Sequence, residues 1–111
     1  MDPVIDERAL IRSILERYAA VRYAHGDIHN ETVFDEAKAR YLVVSQGRMG
    51  KKRVHVCLLH VEIIDDKIWI QRDGTEDGIA DELVAAGVPR SRIVLGFWDA
   101  EARKLGDFAA A

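Results

Sequence analysis

Apolar residues recur along this chain in two rhythms. Between residues 3 and 23, Ile5, Leu10, Ile11, Ile14, Leu15, Tyr18 and Val21 mostly return every three or four positions, leaving Arg8, Arg12, Glu16 and Arg17 on the other side. That is the period of an amphipathic helix. Asp2-Pro3 supplies a cap and a first-turn proline, and Gly26 a stop.

In the middle of the chain the period falls to two. "IHNETVFDE" predicts a short first strand, and "ARYLVVSQG" a second, with Tyr41 and Val43 on one face and Leu42 and Val44 on the other. "KRVHVCLLHVEIID" predicts the third and longest. Val54, Val56 and Leu58 share one parity there, and Leu59, Val61 and Ile63 the opposite one. Either both faces are buried or a bulge moves the register. "KIWIQRD" is the fourth strand, reached through a tight turn at Asp65-Asp66. Short links between consecutive strands favour an antiparallel meander.

The helical rhythm then returns from Gly78 to Ala86, with Ile79, Ala80, Leu83 and Val84 inward. Its end is signalled by Gly87 for a left-handed residue, Val88 for an apolar contact and Pro89 to forbid continuation. "SRIVLGFW" reads as a short final strand, and "DAEARKLGDFAAA" as a weak helix or tail. The predicted architecture is therefore one α+β domain over residues 1–111: N-terminal helix, antiparallel β-meander, second helix, short final strand. Trp69, Phe97 and Trp98 are expected in the core; the alternative is a self-association surface, and hence a homo-oligomer.

Composition narrows the class. At 111 residues, 49% hydrophobic and 32% charged, the chain suits an ordinary globular domain and excludes a disordered one. No apolar run approaches the roughly 20 residues that cross a bilayer. "MDPVIDERAL" lacks a basic start followed by an apolar block, so a cytoplasmic protein is expected. The single cysteine, Cys57, forms no internal disulfide and reads as a small core hydrophobe. The formal net charge of −3 is the wrong sign for a free-standing DNA binder, which draws affinity from neutralising phosphates. Any action on DNA is expected to run through another protein.

The candidate chemistry thins out on inspection. Asp73-Gly74-Thr75 resembles the end of an Asp-x-Asp-Gly-Thr phosphotransfer loop, but the nucleophile's position holds Gln71. The same residues suit a turn and cap: Gly74 for a bend, and the Thr75 hydroxyl for an orphan N–H near Gly78. "GRMGKKR" has two residues between its glycines where a P-loop has four, and Lys52 where a P-loop has Ser or Thr. What remains is a hairpin tip carrying Arg48, Lys51, Lys52 and Arg53. It is either a solvated turn that blocks edge aggregation or a contact for an acidic partner or phosphate backbone. A metal nuclease reading would use Asp35 or Glu36 with Asp65 and Lys67, but Asp65 falls at a turn where Asp is common for backbone reasons. His55 and His60, five apart, face opposite sides of a regular strand unless a bulge intervenes; His25 and His29 have only a nonspecific spacing. No cofactor or metal is expected.

The stretch "KIWIQRDGTEDGIADELVAAGVPRSRIVLGF", with "VCLLHVEI" before it and "FAAA" at the end, resembles the XisI family, whose named member controls excision of the fdxN element in cyanobacteria. The likeness covers essentially the whole chain. It implies a compact α+β fold and a non-catalytic accessory protein working with a nuclease-fold partner, XisH, and it brings no catalytic residues. Two positions depart from the family pattern: Asp66 where Gly is usual, and Trp98 where His is common. The leading expectation is thus a regulator that binds an XisH-like protein. Its rivals are a divalent-metal nuclease and an antitoxin-like neutraliser of a harmful partner.

Overall fold

The computed structural model describes residues 6–21 and 27–111. Five strands form one sheet in sequence order: β1 (Asp27–Asp35), β2 (Arg40–Met49), β3 (Lys52–Ile64), β4 (Lys67–Asp73) and β5 (Ile93–Leu95). The first four are antiparallel neighbours, and β5 lies parallel to β4. A parallel pair needs a crossover, and α2 (Ala80–Ala85) supplies it. Helix α1 (Glu7–Ala19) shares a core with α2 on one face of the sheet. Ile11, Ile14 and Leu15 meet Tyr41, Val43, Leu59, Val61, Ile68 and Ile70, together with Ile79, Leu83 and Val88. On the other face, among the described residues, only the β4–β5 side is covered. There α3 (Ala100–Leu105) holds the Arg103 guanidinium 5.5 Å from the Trp69 ring centroid, and Ala109 bridges to Val94.

The α+β class and the element order match the expectation, and the differences are local. The first helix starts at Glu7, capped by the Asp6 carboxylate, which accepts from the Ala9 N–H at 3.0 Å. It ends at Ala19, so Val21 lies beyond it and is 50% exposed. Asp2-Pro3, Ile5, His25 and Gly26 lie outside the described residues. Phe97 and Trp98 are not core residues: their rings meet edge to face at 6.2 Å and stand 47% and 41% exposed. They follow the last strand, where the sheet offers no neighbour to cover them.

The parity shift in β3 is a bulge. Val43 pairs with Leu59 but Val44 pairs with Cys57, leaving Leu58 without a partner on β2. A second bulge at Gln71 separates the Val61–Ile70 and His60–Arg72 pairs. The Asp65-Asp66 turn has φ of +50° and +66°, the two left-handed residues of a type I′ hairpin. Glycine takes that conformation with no Cβ penalty, so Asp66→Gly should raise stability by about 0.5–1 kcal/mol in urea denaturation. A loss of stability would contradict the turn geometry.

Helix α2 closes with Gly87 at φ +109°. The Gly87 N–H donates to the Val84 carbonyl and the Val88 N–H to the Leu83 carbonyl, both at 3.0 Å, a Schellman pair with Val88 buried behind it. Gly87→Val forces a β-branched residue into that conformation and is expected to cost about 1–2 kcal/mol. An unchanged melting midpoint would remove the assignment.

Away from the hairpin tip, α1 is fastened to the β1–β2 turn through Glu36. Its carboxylate accepts from the Tyr41 hydroxyl at 2.9 Å and from Arg12 at 2.8 Å, and Arg8 reaches its backbone carbonyl at 2.8 Å. The Tyr41 hydrogen bond, followed by the two arginines, holds the Glu36 carboxyl below its ordinary range. A depressed folded-state value adds stability above the unfolded value of about 4.3 and loses it as pH falls through the folded value. Glu36→Gln should therefore lower Tm at pH 7, and the gap from the unmodified chain should close below about pH 4. A gap constant from pH 7 to pH 3 would contradict this.

Candidate functional site

The β2–β3 hairpin turns at Gly50-Lys51, where Gly50 takes φ +63° and Met49 pairs with Lys52. Arg48 therefore stands directly opposite Arg53. Like charges facing each other across a strand pair are destabilising, so the fold alone does not favour this arrangement. Arg48, Lys51, Lys52 and Arg53 are all exposed. Among the described residues none of them enters an ion pair, although Asp27 lies across from Arg48 on β1. The structure thus gathers all four predicted contact residues at one unpaired cationic end.

The Asp73–Thr75 segment is occupied by backbone work. The Asp73 carboxylate accepts from the Thr75 N–H at 3.0 Å, from the Thr75 hydroxyl, and from the Ile79 N–H at 2.7 Å. The Thr75 hydroxyl oxygen in turn accepts from the Gly78 N–H at 3.1 Å, with Gly78 at φ +80°. Asp73 is the hub of this turn, a role that sequence reasoning gave to Thr75. Its longest bond spans six residues, beyond the reach of a capping motif read locally. Gly74 also has a different reason from the one expected. Its φ is not in the left-handed region; a Cβ there would instead sit 3.0 Å from the Leu58 side chain and 3.1 Å from its carbonyl. Pro89, at φ −64°, is extended and leads into a single 3-10 turn, Arg90–Arg92.

The nuclease residues are not brought together. Asp35 ends β1 and accepts from the Lys38 N–H at 3.1 Å, whereas Asp65 sits in the β3–β4 turn. Two inter-strand steps, about 10 Å, separate β1 from β3. Lys67 donates to the carbonyl of Ala111. The bulge that would put His55 and His60 on one side is present, at Leu58 between them. Both share the face opposite the helices, across from Gln46 and Leu42. Four residues along β2, about 13 Å, still keep them apart. His60 instead contacts Glu62 at 2.9 Å, and Glu62 also meets Arg40 at 3.2 Å. Among the described residues no group of three or more His, Cys, Asp or Glu side chains is placed to hold a metal ion.

Cys57 is half-buried on the same face, and burial pushes its thiol above the usual range despite nearby Arg72. No helix among the described residues is long and apolar enough to cross a membrane.

Sequence reasoning also missed the unequal reach of β3 and β4. β3 runs from Lys52 to Ile64, but β4 pairs with it only from Leu59 onward. The signal was present in the strand lengths, since a 13-residue strand was followed by one of 7.

Comparisons with known proteins agree with this architecture. The crystal structure of a XisI-like protein from Anabaena variabilis is 32% identical, covers 95% of this chain and 96% of that one, and superposes with a TM-score of 0.86. The fdxN element excision controlling factor XisI from the same organism is 35% identical over 95% and 96% of the two chains, with a TM-score of 0.80. No curated protein sequence matches the chain. The family model described as XisI protein matches residues 1–110, and the chain belongs to the XisI family.

Proposed function

We propose that this protein is a non-catalytic accessory factor in the control of DNA-element excision, acting by binding an XisH-like, nuclease-fold partner. Family membership and the 35% identical excision controlling factor support the process. The observation that carries the binding role is the projecting tip, where Arg48, Lys51, Lys52 and Arg53 remain unpaired although the chain as a whole is acidic. By contrast, the polar residues that resemble a catalytic loop are committed to backbone N–H groups. The DNA is then reached through the partner, consistent with a net charge of −3.

Co-expression with an XisH-like protein should give a complex that survives gel filtration at micromolar concentration. Separate elution would overturn the proposal. The rival is tested by incubating the pure protein with DNA and Mg²⁺ or Mn²⁺. No cleavage is expected, and cleavage abolished by Asp65→Ala would replace the accessory reading with a nuclease.

A further inference from the structure

We propose that the uncovered edge of β3, centred on Arg53 and His55, docks an acidic extended segment of a partner protein as an added strand. This deepens the accessory reading, on which it rests, by giving the partner a mode of attachment.

The edge follows from register. In a hairpin closed by a two-residue turn, Met49–Lys52 is a hydrogen-bonded pair, so Arg48–Arg53 and Gln46–His55 are non-hydrogen-bonded pairs. The N–H and C=O groups of Arg53 and His55 therefore point away from β2, toward the side that β4, which ends at Asp73, does not reach. Farther along, the same edge is closed. Arg72 donates to the Cys57 carbonyl at 3.3 Å, and the Gly74 N–H donates to the Leu58 carbonyl at 2.8 Å. Among the described residues the slot from Lys52 to Val56, about 17 Å of extended chain, is open.

Side chains beside the slot specify its occupant. Arg53 and His55 project on the face away from the helices. Val54 and Val56 project on the helix side beyond the core, and Val56 is 48% exposed. An added strand alternating acidic and apolar residues would meet the Arg53 guanidinium and the His55 ring on one face and valines on the other. A second copy of this chain is disfavoured, because antiparallel self-pairing would set Arg53 of one copy against Arg53 or His55 of the other, with no carboxylate between them. A nucleic acid could neutralise the cations, but its phosphodiester backbone has no N–H to satisfy the Arg53 and His55 carbonyls. Cations placed only to prevent aggregation would leave Val56 unexplained.

The test titrates the full chain with a capped ten-residue peptide alternating Glu and Val, with the same peptide carrying Lys for Glu, and with a short DNA duplex. The Glu peptide should bind and slow amide exchange at Arg53 and His55, and the Lys peptide should not bind. His55→Pro, which deletes one outward N–H, and Arg53→Glu should each weaken the Glu peptide at least tenfold. Arg53→Glu keeps the proposal testable should the proline variant fail to fold. Glu-peptide binding that both folded variants retain, or duplex binding with no peptide binding, would overturn the proposal. The XisH-like partner is assayed separately. A peptide that binds while the partner does not would sink the accessory reading and leave the docking edge standing. A partner complex indifferent to both variants, with no peptide binding, would do the reverse.

Discussion

Gly47→Ala is expected to be the most damaging single-methyl change in this protein, costing about 2–4 kcal/mol of unfolding free energy. Gly47 has φ +145°, and a Cβ there would lie 1.8 Å from the Asp27 carbonyl oxygen and 2.8 Å from both the Asp27 carbonyl carbon and the Ile28 Cα. All three obstacles are backbone, so no side chain can rotate away. Relief requires β1 to lift from β2 at the Asp27–Arg48 and Ile28–Gly47 pairs. That movement would pull on Asn30, which donates to the Tyr18 carbonyl at 3.2 Å and accepts from the buried Ser45 hydroxyl. Urea denaturation gives the magnitude, and hydrogen exchange at residues 27–30 shows where the strand opens. Gly50→Ala is the control. It also has positive φ, but nothing lies within 4 Å of where its new methyl group would stand, so it should cost only about 1 kcal/mol. Equal losses at the two sites would refute the close-approach explanation.

Asp73→Ala is expected to cost about 2–3 kcal/mol, because it deletes a carboxylate that accepts three hydrogen bonds. The damaging loss is at Ile79, only 1% exposed, whose N–H would be left without an acceptor at the start of α2. Asp73→Asn keeps one carbonyl oxygen and turns an amide toward the other donor, so its loss should be intermediate. Thr75→Val, which removes the acceptor for the Gly78 N–H and one donor to the Asp73 carboxylate, should cost about 1 kcal/mol. Denaturation midpoints order the series. An Asp73→Ala variant as stable as the unmodified chain would mean that this turn is not held by the carboxylate.

Most of the sheet was legible because half-buried strands alternate. β4 matches its predicted limits, and β1 to β3 differ by one or two residues at their ends. The β3 bulge announced itself as a change of parity. Helix α2 was bounded at its C-terminus by Gly87-Val88-Pro89, whose backbone bonds are local. Features that depend on distant partners were hidden. β5 is three residues, all buried, so it has no alternation to reveal its pairing with β4. Phe97 and Trp98 were placed inside because they are large and apolar, but an apolar side chain at the end of a sheet has no obligation to be buried. At the candidate site, the tip cations could be read directly. The open edge beside them depends on where β4 stops, which is set by the Gln71 bulge and the Gly74–Leu58 bond.

The clasp between α1 and the segment around α2 bears on the chain's biosynthesis. Glu82 receives Arg17 and the Tyr18 hydroxyl of α1, and Arg92 reaches Glu7 at 2.6 Å. Helix α1 therefore has to wait for a segment made some 65 residues later before its apolar stripe finds Leu83 and Ile93. Contacts between residues so far apart fold slowly and leave sticky surface exposed meanwhile. A chain stalled before residue 79 would carry α1 with only the sheet to shelter it, a natural substrate for chaperones and proteases.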